Sequence, residues 1–477
     1  MSIPRLLISA AHKSSGKTTL SLALAAALRQ RGLVVQPFKK GPDYIDPMWL
    51  GQAAGRPCFN LDPHLMSPQE ISAQFQRRTA GVDLALIEGN KGLYDGLALD
   101  GSNSNAALAR QLEAPVLLVL DARGMTRGIA PLILGYQAFD REVRIGGVLL
   151  NRVGGSRHES KLRAVIEHYT DVRVVGAVGE DPRIAMTERH LGLVPSNETG
   201  AGGEAAAMVE RIRAAAMAGV DLDAVIALAN SAGPMSSAGL TALPGGKQAP
   251  CPTRLRIAVA MDRAFGFYYP DDLEALREAG AELLPFDMLR DAHLPERIDA
   301  LFIGGGFPES CAAELEANVS LRAEINAAIR GGLPTYAECG GLMVLARGLS
   351  TGGRRYEMVG AIPGEVHMTP RPVGRGYVEL EATTDMAWDV AAGHRIRAHE
   401  FHYSDLKLDA PVAGEPALHF AWTVRRGHGI DGARDGLMVH RLLASYTHLR
   451  RVGSCDWPTW FVRYACDVRD AAARAVA

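Results

Sequence analysis

A cysteine at the end of a short apolar run is the first residue whose setting suggests chemistry. Residues 333–337 predict a buried strand, residues 338–341 (Glu-Cys-Gly-Gly) a sharp turn, and residues 342–346 the start of a helix. The spacing Ala337-x-Cys339-x-Gly341 is that of a nucleophile elbow, in which small residues let the backbone turn tightly and expose the nucleophile. Because the N-terminal end of a helix favours an anion, Cys339 is a candidate nucleophile. The alternative is a buried structural cysteine beside a packing glycine.

Two other features could serve a nucleophile at Cys339. Residues 300–303 predict a strand that runs into a glycine triplet, and the backbone N–H groups of Gly305 and Gly306 could stabilise a developing oxyanion. A tight strand–helix turn is the alternative for this triplet. His448 follows another apolar run and could deprotonate the thiol, although a lone histidine is more often structural. Together the three features predict cysteine-based nucleophilic catalysis.

A separate motif near the start of the chain predicts phosphate binding. Residues 11–19 lie between a predicted strand (6–10) and a predicted helix (18–31), and they have the spacing of a P-loop with Ala11 in place of the usual first glycine. The second glycine of the motif lets backbone N–H groups turn toward phosphate oxygens, the lysine reaches the outer phosphates, and the next hydroxyl binds Mg²⁺. The predicted nucleotide-binding residues are therefore Gly16, Lys17, Thr18 and Thr19.

Charged side chains end two predicted strands of the same half. One strand runs to Lys39, and residues 82–88 form another that ends in Glu88. Charges at the carboxyl ends of parallel strands face the ligand crevice of an open α/β sheet, so Lys39 is expected to contact the nucleotide. Asp43 and Glu88, with Thr18, are the expected Mg²⁺ ligands because Mg²⁺ prefers hard oxygen donors and nucleotide phosphates. The alternative is that Glu88 only caps its strand.

Further apolar strands define the fold class of this half. Residues 115–121 and 145–150 predict two more core strands, and Asn151 and Arg152 emerge at the end of the second as candidate contacts for the adenine base. Five or more such strands alternate with helices, which predicts a doubly wound parallel sheet. The predicted domains are residues 1–228 and 254–477, joined by a Pro- and Gly-rich linker at 229–253.

Composition limits the classes of partner. The chain is 47% hydrophobic with a formal net charge of -2, which is ordinary for a globular protein and gives no indication of nucleic acid or an anionic membrane surface as partner. No apolar run approaches the roughly 20 residues of a membrane helix. The six cysteines are scattered without a Cys-x-x-Cys pair, which disfavours a zinc site or a disulfide framework and favours a cytoplasmic location.

Several long motifs resemble one known family. Lys39-Lys40-Gly-Pro-Asp-Tyr-Ile-Asp-Pro47, Glu88-Gly-x-x-Gly-Leu-Tyr-Asp-Gly96 and Glu188-Arg-His-Leu-Gly-Leu193 resemble the cobyrinate a,c-diamide synthase family, whose ATP domain is similar to dethiobiotin synthetase. The order of the glycine triplet, the elbow cysteine and the distant histidine resembles class I glutamine amidotransferases. The resemblance covers essentially the whole chain apart from the linker.

The resemblance implies a reaction at two sites. The N-terminal domain would phosphorylate a substrate carboxylate with ATP and Mg²⁺, and the C-terminal domain would hydrolyse glutamine through a Cys339 thioester. A shielded path between the domains would carry the ammonia. Tyr44, Ile45 and Asp95 are implied to seat a polycarboxylate tetrapyrrole. Cobyrinate is the leading substrate, and a branch acting on sirohydrochlorin or sirohaem is the alternative.

Two other readings of the chain stay open. One is a P-loop ATPase or metallochaperone with a non-catalytic amidotransferase-like domain, and the other is a hydrolase that acts on a different amide without ATP. A homodimer is compatible with each of these readings.

The sequence also departs from the family's pattern. Many amidotransferases have Glu two residues after the catalytic His, but Arg450 stands there in this chain. The cobyrinate-type branch that the chain resembles likewise lacks this Glu, and what orients the imidazole is open. Ala398 stands where glycine is usual. Four cationic or titratable residues between elbow and histidine either pair with carboxylates of a polyanionic substrate or form solvated surface: Arg371, Arg375, His399 and His402.

Overall fold

The computed structural model describes residues 3–184, 186, 188–189, 192–199, 203–235, 254–410 and 416–476. The chain forms two compact units, Met1–Leu243 and Pro244–Ala477. The domain boundaries expected from the sequence stay predictions, and residues 236–253 of the expected linker lie outside the described residues. No helix in the described part of the chain has the length and apolar character needed to cross a membrane.

The first unit alternates strands and helices. Its elements are β1 (Arg5–Ala10), α1 (Lys17–Gln30), β2 (Val35–Lys40), α2 (Ile45–Ala54), β3 (Phe59–Leu61), α3 (Pro68–Thr79), β4 (Leu84–Glu88), α4 (Asn105–Gln111), β5 (Val116–Asp121), α5 (Ile129–Phe139), β6 (Ile145–Val153), α6 (Ser156–Tyr169), β7 (Arg173–Gly179), β8 (Glu188–Arg189), β9 (Gly192–Leu193), α7 (Glu204–Met217) and α8 (Leu222–Asn230).

Seven strands of this unit form one sheet in the order β3-β2-β4-β1-β5-β6-β7, and all neighbours are parallel. Strands β1, β2 and β4 are buried along their whole length because helices cover both faces of such a sheet. After β1 the chain continues to β2 on one side of β1, and after β4 it continues to β5 on the other side. The loops at the carboxyl ends of β1 and β4 therefore border the crevice where ligands bind in such sheets. The predicted doubly wound parallel sheet is confirmed.

The second unit contains β10 (Leu255–Ala260), β11 (Phe265–Phe267), α9 (Pro270–Glu278), β12 (Ala281–Phe286), β13 (Ala300–Ile303), β14 (Gly305–Gly306), α10 (Ala312–Ala317), α11 (Val319–Arg330), β15 (Thr335–Glu338), α12 (Gly340–Leu345), β16 (Ala346–Thr351), β17 (Arg354–Glu357), β18 (Ile362–Met368), β19 (Gly374–Ala382), β20 (Arg395–His402), β21 (Ser404–Leu408), β22 (His419–Arg426), β23 (Arg434–Val439), β24 (Leu442–Ser445) and α13 (Trp457–Val476).

A nine-stranded sheet in the order β12-β10-β13-β15-β24-β23-β22-β19-β20 organises this unit. Along this order, the neighbours from β12 as far as β24 pair in parallel. The remaining neighbours, from β24 as far as β20, pair antiparallel. Strands β17-β16-β18-β21 form a separate four-stranded sheet in that order. Since β13, β15 and β24 are adjacent and parallel, the segments that follow them meet at one edge. These segments carry the glycine triplet, the elbow cysteine and the late histidine.

Two local features differ from the sequence-based expectation. The helix after the elbow ends at Leu345, because the chain continues as strand β16 from Ala346. Cys466 in α13 is disulfide-bonded, which the scattered spacing of the cysteines did not predict.

Candidate active site

The P-loop turns at a glycine that a side chain could not replace. Gly16 has φ 88°, in the left-handed region, and a Cβ there would lie 2.2 Å from Asn151 Nδ2. Asn151 donates from this Nδ2 to the carbonyl of Ser15 (2.9 Å), and Arg152 donates to the carbonyl of Ser14 (2.9 Å). Both residues at the end of β6 therefore brace the P-loop backbone. Their expected contact with an adenine base stays a prediction.

The P-loop lysine points toward the loop that follows β4. Lys17 is buried, and its Nζ donates to the carbonyl of Lys91 at 2.6 Å. Burial lowers the pKa of Lys17, and the nearby Glu88 carboxylate opposes that change. The ammonium group thus lies between the P-loop and the 89–95 loop, and a bound phosphate would replace a backbone carbonyl as its partner.

Lys39 is surrounded by carboxylates. Its Nζ contacts Asp46 and lies 3.0 Å from Glu88 and 3.8 Å from Asp43. The hydroxyl of Thr18 donates to Glu88 at 2.7 Å. The acidic neighbours outweigh the effect of burial and raise the pKa of Lys39 well above its usual value. The lysine thus stays charged and offsets the carboxylates around it.

Asp46 is a site residue that the sequence patterns did not predict. The signal was there, since Asp43 and Asp46 both follow Lys39 in one motif. The two acids make different contacts: Asp43 accepts hydrogen bonds from the backbone N–H groups of Ile45 (2.9 Å) and Asp46 (3.1 Å) in the first turn of α2. The side chain of Asp46 instead turns toward Lys39 and Thr18.

The oxygen donors around Thr18 fit a magnesium–nucleotide complex. In the described ranges, no three His, Cys, Asp or Glu side chains form a metal cluster by themselves. Mg²⁺ usually takes one or two carboxylates and completes its shell with phosphates and water. Glu88 Oε2 is buried and has no hydrogen-bond partner among the described residues, next to the hydroxyl of Thr18. An unsatisfied carboxylate oxygen at this position is what a phosphate-bound cation would use.

The residues expected to seat the substrate lie around the same crevice. Tyr44 and Ile45 are buried at the start of α2. Asp95 is exposed, and its carboxylate accepts a hydrogen bond from the backbone N–H of Gly92 at 2.8 Å. This contact holds the loop that also receives Lys17. Direct contact of these three residues with a tetrapyrrole stays a prediction.

The elbow in the second unit has the strained geometry expected of a nucleophile. Cys339 has φ 48°, which is unusual for a residue with a side chain. Its backbone N–H donates to the carbonyl of Ser445 at 2.7 Å. A Cβ at Gly341 would lie 2.1 Å from the carbonyl oxygen of Ile303. The glycine is therefore needed for β13 and the elbow to pack together, and the thiol stands at the edge where the three parallel strands end.

His448 reaches this thiol. The thiol is close enough to raise the pKa of the imidazole, and His448 is 3% exposed. Burial alone lowers the pKa of His448, but its interactions with Cys339 and Glu338 outweigh burial and raise the pKa to about 10. The direction of this shift favours the protonated imidazole. A thiolate–imidazolium pair is the form of cysteine that acts as a nucleophile.

Glu338 is the contact that sequence reasoning missed. Its Oε2 lies 3.4 Å from His448 Nδ1, while Oε1 accepts hydrogen bonds from the Tyr336 hydroxyl (2.5 Å) and the Leu449 backbone N–H (2.9 Å). The available signal was a carboxylate at the end of an otherwise apolar strand. Arg450, by contrast, is fully buried with its guanidinium 3.1 Å from Asp271.

The glycine triplet lies directly beside His448 and the elbow that carries Cys339. Gly305 and Gly306 form β14 and pair with β11. A Cβ at Gly305 would lie 2.5 Å from His448 Cε1, and one at Gly340 would lie 3.0 Å from the Gly306 nitrogen. The backbone of the triplet thus approaches both the elbow and the imidazole. Its role as an oxyanion hole stays a prediction.

The four residues considered for polyanion binding do not form one surface. His399 is buried, and its ring stacks on His448 with centroids 5.0 Å apart. Burial chiefly lowers the pKa of His399 well below its usual value, so it cannot offer a charge to a carboxylate. His402 is buried against the ring of Tyr446. Arg371 and Arg375 are exposed.

A P-loop unit with a carboxylate cluster and a second unit with a cysteine–histidine pair define the class of ATP-dependent glutamine amidotransferases. Residues 7–194 match the CobQ/CobB/MinD/ParA nucleotide binding domain, and residues 256–452 match the CobB/CobQ-like glutamine amidotransferase domain. The chain belongs to the cobyrinate a,c-diamide synthase family, as its similarity to relatives of that name establishes.

Three relatives illustrate the similarity. The cobyrinate a,c-diamide synthase of Magnetococcus marinus is 44% identical over 469 residues, which cover 97% of each chain. That of Methanosarcina acetivorans is 42% identical over 476 residues, covering 94% of this chain and 93% of the relative. That of Methanosarcina barkeri is 42% identical over 492 residues, covering 98% and 97%. The similarity therefore spans both units.

Proposed function

We propose that this chain converts the a and c side-chain carboxylates of cobyrinate into amides, with ATP as the activating substrate and glutamine as the nitrogen donor. The observation that carries the proposal is the 44% identity over 97% of both chains with a relative named cobyrinate a,c-diamide synthase. Such coverage includes the P-loop and the elbow cysteine. The reaction class is ATP-dependent carbon–nitrogen ligation.

Two sites are needed because amide formation from a carboxylate and ammonia faces two separate chemical obstacles. A carboxylate is a poor acyl donor because its oxygen is a poor leaving group, and ammonia at neutral pH is mostly ammonium, which has no lone pair for attack. The first unit would remove the first obstacle by phosphorylating the carboxylate. The second unit would remove the other obstacle by releasing unprotonated ammonia from glutamine.

In the second unit, the thiolate of Cys339 attacks the side-chain amide carbon of glutamine. The backbone N–H groups of Gly305 and Gly306 bind the oxyanion, and His448 gives its proton to the nitrogen, which departs as ammonia. Water, deprotonated by His448, then cleaves the thioester and releases glutamate. The thiolate–imidazolium pair is restored at the end of this cycle.

In the first unit, a carboxylate oxygen of the substrate attacks the γ-phosphorus of ATP, and ADP leaves. Lys17 offsets charge on the transferring phosphoryl group. Thr18, Asp43 and Glu88, together with Asp46, would hold Mg²⁺, which when bound neutralises the phosphate oxygens. Ammonia then attacks the acyl phosphate carbon and inorganic phosphate departs, leaving the amide.

Tyr44, Ile45 and Asp95 are proposed to seat the tetrapyrrole and select its side chains. They lie around the crevice that contains the P-loop, which is where the carboxylate must meet the γ-phosphate. The alternative substrates, sirohydrochlorin and sirohaem, receive no specific support from the relatives. A homodimer and a cytoplasmic location are further proposals, which analytical ultracentrifugation and cell fractionation test.

The test is an assay of the purified chain with ATP, Mg²⁺, glutamine and either cobyrinate or sirohydrochlorin, followed by mass spectrometry. We expect replacement of hydroxyl by amine at two carboxyl groups of cobyrinate and none in sirohydrochlorin. Conversion of sirohydrochlorin alone would reverse the substrate assignment, and conversion of neither would refute both.

Two further variants address the other classes of function. Cys339→Ala and His448→Ala should each abolish glutamine hydrolysis. ATP hydrolysis by a wild-type chain without any glutaminase activity would instead favour an ATPase with a non-catalytic second unit. Amide hydrolysis that needs no ATP and makes no tetrapyrrole amide would favour a simple hydrolase.

A further inference from the structure

The Glu338 carboxylate is held by the strand before the nucleophile and by the segment after the histidine. The side chain is almost fully buried, and Oε1 accepts hydrogen bonds from the Tyr336 hydroxyl and the Leu449 backbone N–H. The second oxygen, Oε2, lies 3.4 Å from His448 Nδ1. Both contacts of Oε1 fix the carboxylate in one orientation, and that orientation directs Oε2 at the imidazole.

We propose that Glu338 is the positioning residue of the glutaminase site, which holds Nδ1 of His448 so that Nε2 serves Cys339 and the imidazolium form is stabilised. The inference rests on the proposed function. It places the orienting carboxylate directly before the nucleophile in the chain. The position two residues after the histidine cannot supply it, since Arg450 is paired with Asp271 there.

The other groups around His448 do not replace this carboxylate. His399, from β20, stacks on the imidazole and is neutral because burial lowers its pKa well below the usual value. Arg450, two residues after His448, carries a positive charge, which further lowers the pKa of His399. Cys339 stabilises the imidazolium only as a thiolate. Glu338 is therefore the contact that can keep His448 protonated and oriented once the thiolate charge has been consumed in the attack on glutamine.

The consequence can be measured in the pH dependence of glutamine hydrolysis. His448 must carry a proton to release ammonia, and its pKa is raised to about 10, with Cys339 and Glu338 outweighing the effect of burial. Removal of the carboxylate charge lowers the pKa of His448. The rate should therefore begin to fall at a lower pH on the alkaline side of the profile.

The experiment compares wild-type chain with Glu338→Gln, which keeps the shape and removes the charge. We expect kcat for glutamine hydrolysis to fall roughly 100-fold, within the range of general acid–base contributions. The alkaline limb of the profile should move to lower pH by roughly 1–3 units, as for loss of an adjacent opposite charge. Glu338→Asp, which retracts the charge, should give a smaller shift in the same direction.

Asp435→Asn is the matched control. The Asp435 carboxylate is also buried and also holds this segment, since it accepts the backbone N–H groups of Tyr446 (3.1 Å) and Thr447 (3.0 Å). Its loss should lower the melting temperature without moving the alkaline limb. If Glu338→Gln likewise loses thermal stability and leaves the limb unmoved, Glu338 is structural and the proposal is overturned.

A second measurement does not depend on activity. The pKa of His448 can be followed by NMR in protein with ¹³C-labelled histidine, with the signal assigned through His448→Gln. A lower value in Glu338→Gln, or in Glu338→Asp if the first variant does not fold, supports the pairing, and an unchanged value overturns it. If the wild-type chain hydrolyses no glutamine, the proposed function fails, while this titration still reports on the contact.

Discussion

Lys39 Nζ lies 3.0 Å from Glu88 Oε1, with 3% and 0% of the two side chains exposed. This pair joins the carboxyl ends of β2 and β4, which are neighbours in the first sheet. A buried carboxylate such as that of Glu88 is tolerated only when compensated, and Lys39 also offsets the charges of the partly buried Asp43 and Asp46. Lys39 is therefore expected to stabilise the first unit.

Replacement of Lys39 by Met should strongly destabilise the first unit. Loss of one member of a buried ion pair leaves the partner's charge uncompensated, and about 3–5 kcal/mol of unfolding free energy should be lost. Urea denaturation followed by circular dichroism measures this. Lys40→Met is the control, since the Lys40 ammonium donates to the neutral side chain of Asn90 at 3.0 Å. Equal losses in both variants would contradict the role given to Lys39.

Asp43 should make the stability of the first unit depend on pH. Burial, followed by the charge of Asp46, raises the pKa of Asp43 to about 7 from 3.8. The folded chain then binds a proton that the unfolded chain has released, so this contribution to stability falls as pH rises from about 4 to about 7. Asp43→Asn should flatten the slope of unfolding free energy in this window, as measured by urea midpoints.

Asp100→Asn provides the comparison for this pH effect. Asp100 is exposed, and a backbone hydrogen bond from Ser102 lowers its pKa below the usual value. It therefore titrates below the window in which Asp43 changes charge. An unchanged slope in Asp43→Asn, or an equal change in both variants, would show that the proton is bound elsewhere.

Gly16→Ala should abolish ATP binding. The new Cβ would lie 2.2 Å from Asn151 Nδ2, so the alanine must displace the side chain that braces the loop. Gly32→Ala tests conformational strain alone, because Gly32 has φ 86° and open space around its Cβ position. It should cost about 1 kcal/mol of stability and leave ATP affinity unchanged. Isothermal titration calorimetry distinguishes the two, and tight ATP binding by Gly16→Ala would contradict the expectation.

Gly305→Ala should separate the use of glutamine from the use of ammonia. A Cβ 2.5 Å from His448 Cε1 forces the imidazole to move, so glutamine hydrolysis should fall at least about 100-fold. Amide formation from added ammonium chloride depends on the first unit and should persist. Gly353→Ala, in open space between β16 and β17, should change neither activity. Loss of both activities in Gly305→Ala would indicate a general folding defect instead.

Motifs carried by contiguous residues were predictable from the sequence. The P-loop, the elbow and the parallel sheet each depend on local spacing or on runs of apolar residues, because backbone geometry and burial act over a few neighbours. The antiparallel half of the second sheet was not anticipated, since the pairing of β19, β20 and β22 is set by contacts between distant segments.

The sequence by itself determined which groups carry the chemistry: Lys17, Cys339 and His448 stand in recognisable local settings. Only the tertiary structure decided what surrounds them. Glu338 contacts His448 because β15 and β24 are adjacent parallel strands, and no spacing along the chain encodes that adjacency. The same holds for Arg450, whose charge is taken up by Asp271, nearly two hundred residues earlier in the chain. The packing of the strands determines which residues become neighbours in a buried site. A buried charge needs these neighbours because water no longer stabilises it.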